Sequence, residues 1–297
     1  MLPEWYNDYK KIIDESIIKY LDWYFTNWSV SEWLTVFKEA VYYSVKWWKR
    51  IRSILALEFY LIFTWKNIND LKLEDDIIMH CISLELMHWY SLVHDDLPCM
   101  DNDELRRWEL TVWKKYWETN ATLVWDLLNS MSFEILANLS DNIDIKMILW
   151  LFWRSVWFYW MIWWQVLDSY YEKNSNSNSL EKIMDVHNKK TWALIEASIV
   201  WWIIISEKYD NMEKYIDFWK KIWLAFQIKD DLLDVEWTFE DTGKSVWGEK
   251  KWFVHFMWIE KTRKYLDDLI IESKTIINDL DSDKLIFLVN YVSSRTK

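Results

Sequence analysis

The sequence predicts an all-α protein, and three observations carry this prediction. Glycine occurs only as Gly243 and Gly248, and proline only as Pro3 and Pro98. Turn-rich β architectures need such residues at fixed positions, so their scarcity disfavours those folds. Apolar residues recur at three-to-four spacing, as buried helices require, and strand alternation is not sustained anywhere. No repeat or linker divides the chain, so we predict one helical domain over residues 1–297.

The helical periodicity extends over six segments separated by polar connections. These segments are Trp33–Leu55, Asp76–Asp95, Ala121–Leu139, Leu180–Ile205, Tyr215–Asp234 and the charged, amphipathic Ile259–Asn278. The polar run at 172–179 and the segment 138–144 are predicted to be loops between helices.

Net charge and cysteine content indicate which partners the protein can bind and in which compartment it works. The net charge of −12 repels nucleic acid and anionic membranes, so we predict no nucleic-acid partner. Cys81 and Cys99 are too few for a disulfide framework, and the first residues lack a signal peptide, so we predict a cytoplasmic protein. The apolar stretch Met147–Trp164 contains Arg154 near its middle and tryptophans throughout, so we predict no membrane insertion.

The first of two acidic clusters follows the apolar segment that ends near Asp95. Five acids occur within the ten residues 95–104, and Arg106 and Arg107 follow them. Asp95 and Asp101 are six residues apart and would not share a face of a regular helix. Pro98 offers a break that lets Asp101 return toward Asp95.

The second cluster is Asp230, Asp231 and Asp234, in which Asp230 and Asp234 share one helical face. Like charges at this spacing destabilise a helix unless a cation neutralises them. Carboxylate oxygens without histidine or cysteine partners suit Mg²⁺, which bridges to substrate phosphates. Either cluster alone could be a solvated acidic helix end. Two such clusters, each flanked by apolar helix and beside Lys or Arg, together predict a site for a metal-bound diphosphate.

Further short motifs accompany these clusters. They are Trp48-Lys49-Arg50-Ile51-Arg52, His88 seven residues before Asp95, Trp125-Asp126-Leu127-Leu128, Trp163-Trp164-Gln165-Val166-Leu167-Asp168, Lys190-Thr191-Trp192, Gln227 through Asp234, and Gly243-Lys244. In this order they resemble the motifs of the trans-prenyltransferases, the short-chain isoprenyl diphosphate synthases such as farnesyl and geranylgeranyl diphosphate synthase. The resemblance runs from about residue 47 to 269. It implies an all-α bundle around a central cavity, a homodimer, and Mg²⁺-dependent condensation of isopentenyl diphosphate with an allylic diphosphate (dimethylallyl or geranyl diphosphate).

The same resemblance implies a role for each matching residue. Asp95, Asp101 and Asp230 would ligate Mg²⁺, as three ions with the bound diphosphate, supported through water by Asp96, Asp231 and Asp234. Lys49, Arg52, His88 and Arg107 would hold isopentenyl diphosphate, whereas Arg106, Lys190, Lys229 and Lys244 would hold the allylic diphosphate. Lys190 would also act in catalysis with Thr191 and Gln227, which line the forming cation.

Product length is predicted from the residues four and five positions before the first aspartate, which form the floor of the tunnel in this family. Here they are Ser91 and the bulky Tyr90, a pattern that resembles the farnesyl-forming bacterial enzymes. The alternative for Tyr90 is an ordinary core residue. We predict a farnesyl diphosphate synthase, and the alternatives are a geranylgeranyl diphosphate synthase, a terpene cyclase-like relative and a non-catalytic partner subunit.

Tryptophan stands where the family motifs have glycine. The positions are Trp48, Trp108, Trp125, Trp163, Trp164 and Trp192, to which we add Trp117 and Trp223. Small-to-large changes in packed helix interfaces cost about 1–3 kcal/mol each, so eight would exceed the roughly 5–15 kcal/mol that stabilises a domain. Our hypothesis is a reassigned codon, with UGA as the candidate, that the printed sequence renders as tryptophan and the source cell reads as glycine. This hypothesis weakens the argument from scarce glycine, so the all-α prediction rests on the helical periodicity and on the family motifs.

Overall fold

The computed structural model describes residues 2–27, 34–46, 49–106, 108–140, 144–156, 166, 212–236, 254 and 257–295. These residues are helical apart from turns, connections and one small hairpin, which confirms the all-α prediction. The chain divides into two compact units, Met1–Ile145 and Lys146–Lys297.

The described residues of the first unit form five helices and the hairpin. The helices are α1 (Glu4–Asn27), α2 (Thr35–Ser44), α3 (Ile51–Thr64), α4 (Asp76–Asp95) and α5 (Val112–Ala137), with a 3₁₀ turn at Ile68–Asp70. The hairpin strands are β1 (Leu105–Arg106) and β2 (Glu109–Leu110), which pair antiparallel with Leu105 opposite Leu110. Strands of two residues are too short to give an alternating pattern, and the sequence therefore did not predict them.

Helix α4 is the central helix of this unit. It contacts α1, α3 and α5, and 14 of its 20 residues are buried. A helix that is buried on most of its faces, as α4 is, is stable only when neighbours cover those faces. The Ser83 hydroxyl donates to the Ser132 carbonyl at 3.0 Å, which joins α4 to α5. The predicted segment Asp76–Asp95 agrees with the observed bounds of α4.

The helical periodicity over Trp33–Leu55 spans two helices in the structure, with a break that the spacing does not predict. Helix α2 ends at Ser44 and α3 begins at Ile51, with Arg50 in the left-handed region at φ 55°. The apolar positions continue on both sides of this break, so periodicity alone does not register it. The break places the Lys49–Arg52 segment at the start of α3 instead of inside a longer helix.

The second unit contains the remaining described helices: α6 (Ile145–Val156), α7 (Met212–Glu236), α8 (Ile259–Ile277) and α9 (Asp283–Ser294), with a 3₁₀ turn at Asn278–Leu280. Helix α8 lies along α7, and α9 contacts both. The predicted helices at 215–234 and 259–278 match α7 and α8 to within a few residues. The predicted helix Leu180–Ile205 and the loop at 172–179 lie outside the described residues. No helix in the described part of the chain is long and apolar enough to cross a membrane.

Four tryptophans adopt backbone conformations that favour glycine. Of the seven described residues with positive φ other than glycine, four are Trp65, Trp108, Trp117 and Trp258, with φ between 57° and 70°. Trp117 has ψ 155° and interrupts α5, and Trp258 has ψ 150° before α8. This combination of positive φ with ψ near 150° is almost restricted to glycine, because a Cβ atom clashes there. All four indoles are exposed.

Candidate active site

The first acidic cluster forms where α4 ends. After Asp95 the chain turns sharply, and the Asp101 N–H donates to the Asp95 carbonyl at 2.9 Å. The Asn102 N–H donates to the Leu97 carbonyl at 3.1 Å, with Asn102 in the left-handed region. The turn containing Pro98 therefore returns Asp101 to the end of the helix that carries Asp95, as the sequence predicts. Asp95 is half-buried and Asp101 is exposed.

Asp96, the next residue in this cluster, is buried against Arg106 of β1. The Arg106 Nε atom lies 2.8 and 3.1 Å from the two Asp96 oxygens, and Nη2 lies 2.5 Å from Oδ1. Burial lowers the pKa of the Arg106 guanidinium, but Asp96 and then Asp103 raise it more, so the net pKa lies above its usual value. The hairpin thus holds a charged arginine fork beside the acidic cluster.

The predicted chain-length residues lie on α4 one turn before this cluster. The buried Tyr90 ring lies 6.0 Å from the Trp125 ring and 6.5 Å from the His94 ring, centroid to centroid. Burial first, and then the charge of Asp95, raises the pKa of the Tyr90 phenol. Ser91 is half-buried, and its hydroxyl donates to the His88 carbonyl at 2.7 Å. Tyr90 is therefore a bulky, neutral, buried group close to the acidic cluster.

The predicted isopentenyl diphosphate ligands lie on two elements of the first unit. Lys49 precedes α3, and its carbonyl accepts a hydrogen bond from the Tyr6 hydroxyl at 2.5 Å. Arg52 lies in the first turn of α3, and both residues are half-buried. His88 is buried on α4. Helices α3 and α4 contact each other, so these residues belong to adjoining elements.

The second acidic cluster lies near the end of α7 in the second unit. Asp230 accepts a hydrogen bond from Arg295 Nη2 at 2.8 Å, and the same nitrogen donates to the Phe226 carbonyl at 2.7 Å. The Arg295 guanidinium also lies 3.4 Å from the centre of the Phe226 ring. Gln227, Lys229 and Asp231 are half-buried on the same helix. Asp234 also belongs to α7.

Arg295 was missed by reasoning from the sequence, as was the buried Glu85 of α4. Arg295 follows α9, 65 residues after Asp230, in a segment with no recognisable motif. The only signal was a lone arginine near the end of the chain. Four predicted site residues, Arg107, Lys190, Thr191 and Lys244, lie outside the described residues.

The residues of the two clusters fit Mg²⁺ by their chemistry. Among the described residues, no three His, Cys, Asp or Glu side chains gather closely enough to hold a metal by themselves. Mg²⁺ does not require such a cage, because it keeps several waters and is held by one or two carboxylates together with substrate phosphates. Asp95 and Asp101, joined through their backbones, offer hard oxygen donors of this kind.

Comparison with known proteins agrees with these motifs. A model of the polyprenyl synthetase family matches residues 35–283, which spans both units. The chain is 37% identical to the farnesyl diphosphate synthase of Micrococcus luteus over 73% of this chain and 76% of that protein. It is 34% identical to the large subunit 1 of a heterodimeric geranylgeranyl pyrophosphate synthase of Arabidopsis thaliana, over 72% of this chain and 61% of that protein.

Solved structures give the same result. An FPP/GFPP synthase of Zymomonas mobilis matches with a TM-score of 0.80 and 25% identity, over 96% of this chain and 99% of that one. A geranyltransferase of Helicobacter pylori, solved with magnesium and isoprenyl diphosphate, matches with a TM-score of 0.77 and 28% identity, over 98% and 97% of the two chains. The chain therefore belongs to the polyprenyl synthetase family of trans-prenyl diphosphate synthases.

Proposed function

We propose that this protein is a Mg²⁺-dependent prenyltransferase that joins isopentenyl diphosphate to an allylic diphosphate and forms farnesyl diphosphate. The observation that carries the proposal is the turn after α4, where the Asp101 N–H meets the Asp95 carbonyl at 2.9 Å beside the Asp96–Arg106 pair. This arrangement supplies two carboxylates for a cation and one guanidinium for diphosphate oxygens. An acidic helix end that served only solubility would not need one of its aspartates buried against an arginine.

Each group has a chemical task in this reaction. The allylic C–O bond breaks with its electron pair leaving on the diphosphate, and the double bond of isopentenyl diphosphate attacks the resulting cation. Asp95, Asp101 and Asp230 would hold Mg²⁺, which when bound would supply positive charge against the departing diphosphate. Arg106, Lys190, Lys229 and Lys244 orient that diphosphate and share its negative charge. The released diphosphate accepts the proton that leaves after the new C–C bond has formed.

Exclusion of water is the other requirement, because a carbocation captured by water ends the reaction. Helix α4, which ends at Asp95, provides buried apolar side chains such as Met87 and Val93. Thr191 and Gln227 line the cation, and Lys49, Arg52, His88 and Arg107 hold the second diphosphate. We propose one catalytic domain over residues 1–297 with three Mg²⁺ ions, acting as a cytoplasmic homodimer.

A condensation assay with labelled isopentenyl diphosphate, Mg²⁺ and each allylic primer tests this function. The assay is run on the printed sequence and on a form with glycine at the eight motif tryptophans. We expect prenyl diphosphate product from the glycine form and low activity from the printed one. Product that is hydrocarbon or alcohol indicates a terpene cyclase-like enzyme, and no product with any primer indicates a partner subunit. Size measurement of the native protein separates a homodimer from a heterodimer.

Product length depends on Tyr90 in this proposal. Tyr90→Ala is expected to shift the main product from farnesyl diphosphate to longer chains when isopentenyl diphosphate is in excess, because it removes a buried ring from the end of the tunnel. Chromatography of the dephosphorylated products measures the shift. The control is Tyr60→Ala on α3, since Tyr60 is an equally buried tyrosine. A farnesyl product from the Tyr90 variant would make Tyr90 an ordinary core residue, and a geranylgeranyl product from the unaltered enzyme would favour the second candidate function.

A further inference from the structure

A buried arginine lies inside the segment that holds the predicted isopentenyl diphosphate ligands. Arg50 is 2% exposed, and its backbone is left-handed at φ 55°. Its Nε donates to Asp14 at 2.8 Å, Nη1 to Glu85 at 2.9 Å, and Nη2 to the Val45 carbonyl at 2.7 Å. The three contacts come from α1, from α4 and from the residue after α2. Three separate parts of the first unit therefore converge on this one guanidinium.

Glu85, the partner on α4, is also buried and has both oxygens satisfied. One oxygen accepts from Arg50, and the other accepts from the Ser53 hydroxyl at 2.7 Å. Burial lowers the pKa of the Arg50 guanidinium, but Glu85 and Asp14 raise it more, so the arginine stays charged. The desolvation cost of such a buried pair offsets much of its attraction, so the pair contributes little to net stability.

The pair fixes the chain where its direction changes. Left-handed backbone is unfavourable for a residue with a Cβ atom, and such conformations persist only where surrounding contacts determine them. Lys49 immediately precedes Arg50, and its carbonyl is held by the Tyr6 hydroxyl. Arg52 follows in the first turn of α3, and Glu85 lies one helical turn before His88 on α4.

We propose that Arg50 and Glu85 are positioning residues that hold Lys49 and Arg52 in register with His88, and thereby set the affinity for isopentenyl diphosphate. This inference rests on the proposed function. Displacing a ligand-holding group by about 1 Å can cost a factor of about 100, so a loosened anchor has a measurable effect. The expected effect is a weaker affinity for isopentenyl diphosphate, the substrate that Lys49, Arg52 and His88 hold.

The test is Glu85→Gln, made in the form that is active in the condensation assay. Glutamine keeps the shape and an oxygen for Ser53 but removes the charge that holds Arg50. We expect the KM for isopentenyl diphosphate to rise about tenfold, with kcat and the KM for the allylic diphosphate within about twofold. Glu58→Gln is the matched control, because Glu58 is a buried carboxylate of α3 that accepts the Tyr9 hydroxyl at 2.8 Å.

Two further sets of variants distinguish a failure of the positioning role from a failure of the proposed function. Tyr6→Phe removes only the donor to the Lys49 carbonyl. It is expected to give the same selective rise in the KM for isopentenyl diphosphate, and it replaces Glu85→Gln as the test if that variant does not fold. Lys49→Ala and Arg52→Ala test the proposed function itself. If these two raise the KM for isopentenyl diphosphate while Glu85→Gln and Tyr6→Phe leave it unchanged, the positioning role is wrong and the proposed function stands. If all four leave it unchanged, the assignment of this segment is wrong.

The backbone supports a second inference that needs no family motif. Trp65 immediately follows α3 in the left-handed region, where helices commonly place glycine, and it is 93% exposed. Trp258 precedes α8 in the glycine-favouring region and is 78% exposed. We infer that the source cell places glycine at 65 and 258, two positions that the motif comparison did not identify.

Peptide mass spectrometry of the protein purified from its source cell tests this inference. We expect the mass of glycine at positions 65, 117 and 258. Tryptophan at 65 and 258 with glycine at 163 and 164 overturns the inference for these two positions only. Tryptophan at all of them overturns the reassigned codon as well, and neither result bears on the condensation activity.

Discussion

Asp95→Asn is expected to lower kcat for condensation by a factor of about 10²–10³ or more, the loss typical of removing one group that stabilises transition-state charge. Asparagine keeps the size of the side chain but offers a neutral oxygen, which is a poorer ligand for a hard divalent cation. Asp95 is half-buried at the end of α4, so the change leaves the packing of that helix intact. We also expect the half-saturating Mg²⁺ concentration to rise.

The matched control for this variant is Asp76→Asn at the opposite end of α4. Asp76 accepts hydrogen bonds from the Ser140 N–H at 2.9 Å and from the Ser140 hydroxyl at 2.5 Å. The change to asparagine is expected to lower the free energy of unfolding by about 0.5–1.5 kcal/mol, while kcat stays within about twofold. Steady-state kinetics and thermal unfolding measure both. Equal kcat losses in the two variants, or an unchanged kcat for Asp95→Asn, contradict the assigned role.

The sequence predicted the parts of this site that depend on local chemistry. The return of Asp101 to Asp95 follows from a proline within a run of acids, and the bounds of α4 follow from periodicity and from the polar residues at its ends. Both signals lie within a few residues of the feature that they predict. That the clusters consist of carboxylates, which offer oxygen ligands to Mg²⁺, is likewise visible in the sequence.

The contacts that were missed join residues far apart in the chain. Arg50 and Glu85 are separated by 35 residues, and Arg295 and Asp230 by 65. In sequence, Glu85 is one polar residue on an apolar helix, and nothing nearby shows that it will meet a cation. The break between α2 and α3 was missed for the same reason, since the contacts that hold Arg50 left-handed come from α1, from α4 and from Val45.

The glycine hypothesis also makes a prediction about stability. Trp117→Gly and Trp258→Gly are each expected to raise the free energy of unfolding by about 1–2 kcal/mol, because glycine removes the Cβ clash at these dihedral angles. The indoles are 69% and 78% exposed, so little apolar burial is lost. The backbone bonds at 258 remain, since the Trp258 N–H donates to Val254 and its carbonyl accepts from Thr262. Denaturant unfolding measures the change.

Trp23→Gly is the control that separates backbone freedom from loss of an exposed indole. Trp23 is 57% exposed within α1 and has ordinary helical angles. Glycine inside a helix costs about 0.5–1 kcal/mol, so this variant is expected to be less stable than the parent. The changes in the free energy of unfolding at 23 and 117 are therefore expected to have opposite signs, because the backbone angles differ at the two positions.

Trp117→Ala separates the effect of the indole from that of the Cβ atom, because alanine removes the indole and keeps the Cβ atom. If the strain resides in the backbone, alanine at 117 gives little of the gain that glycine gives. If alanine and glycine stabilise equally, the indole itself was unfavourable and the dihedral argument fails. If both glycine variants are destabilised as Trp23→Gly is, tryptophan suits these positions, and the glycine inference for 65 and 258 loses its physical basis.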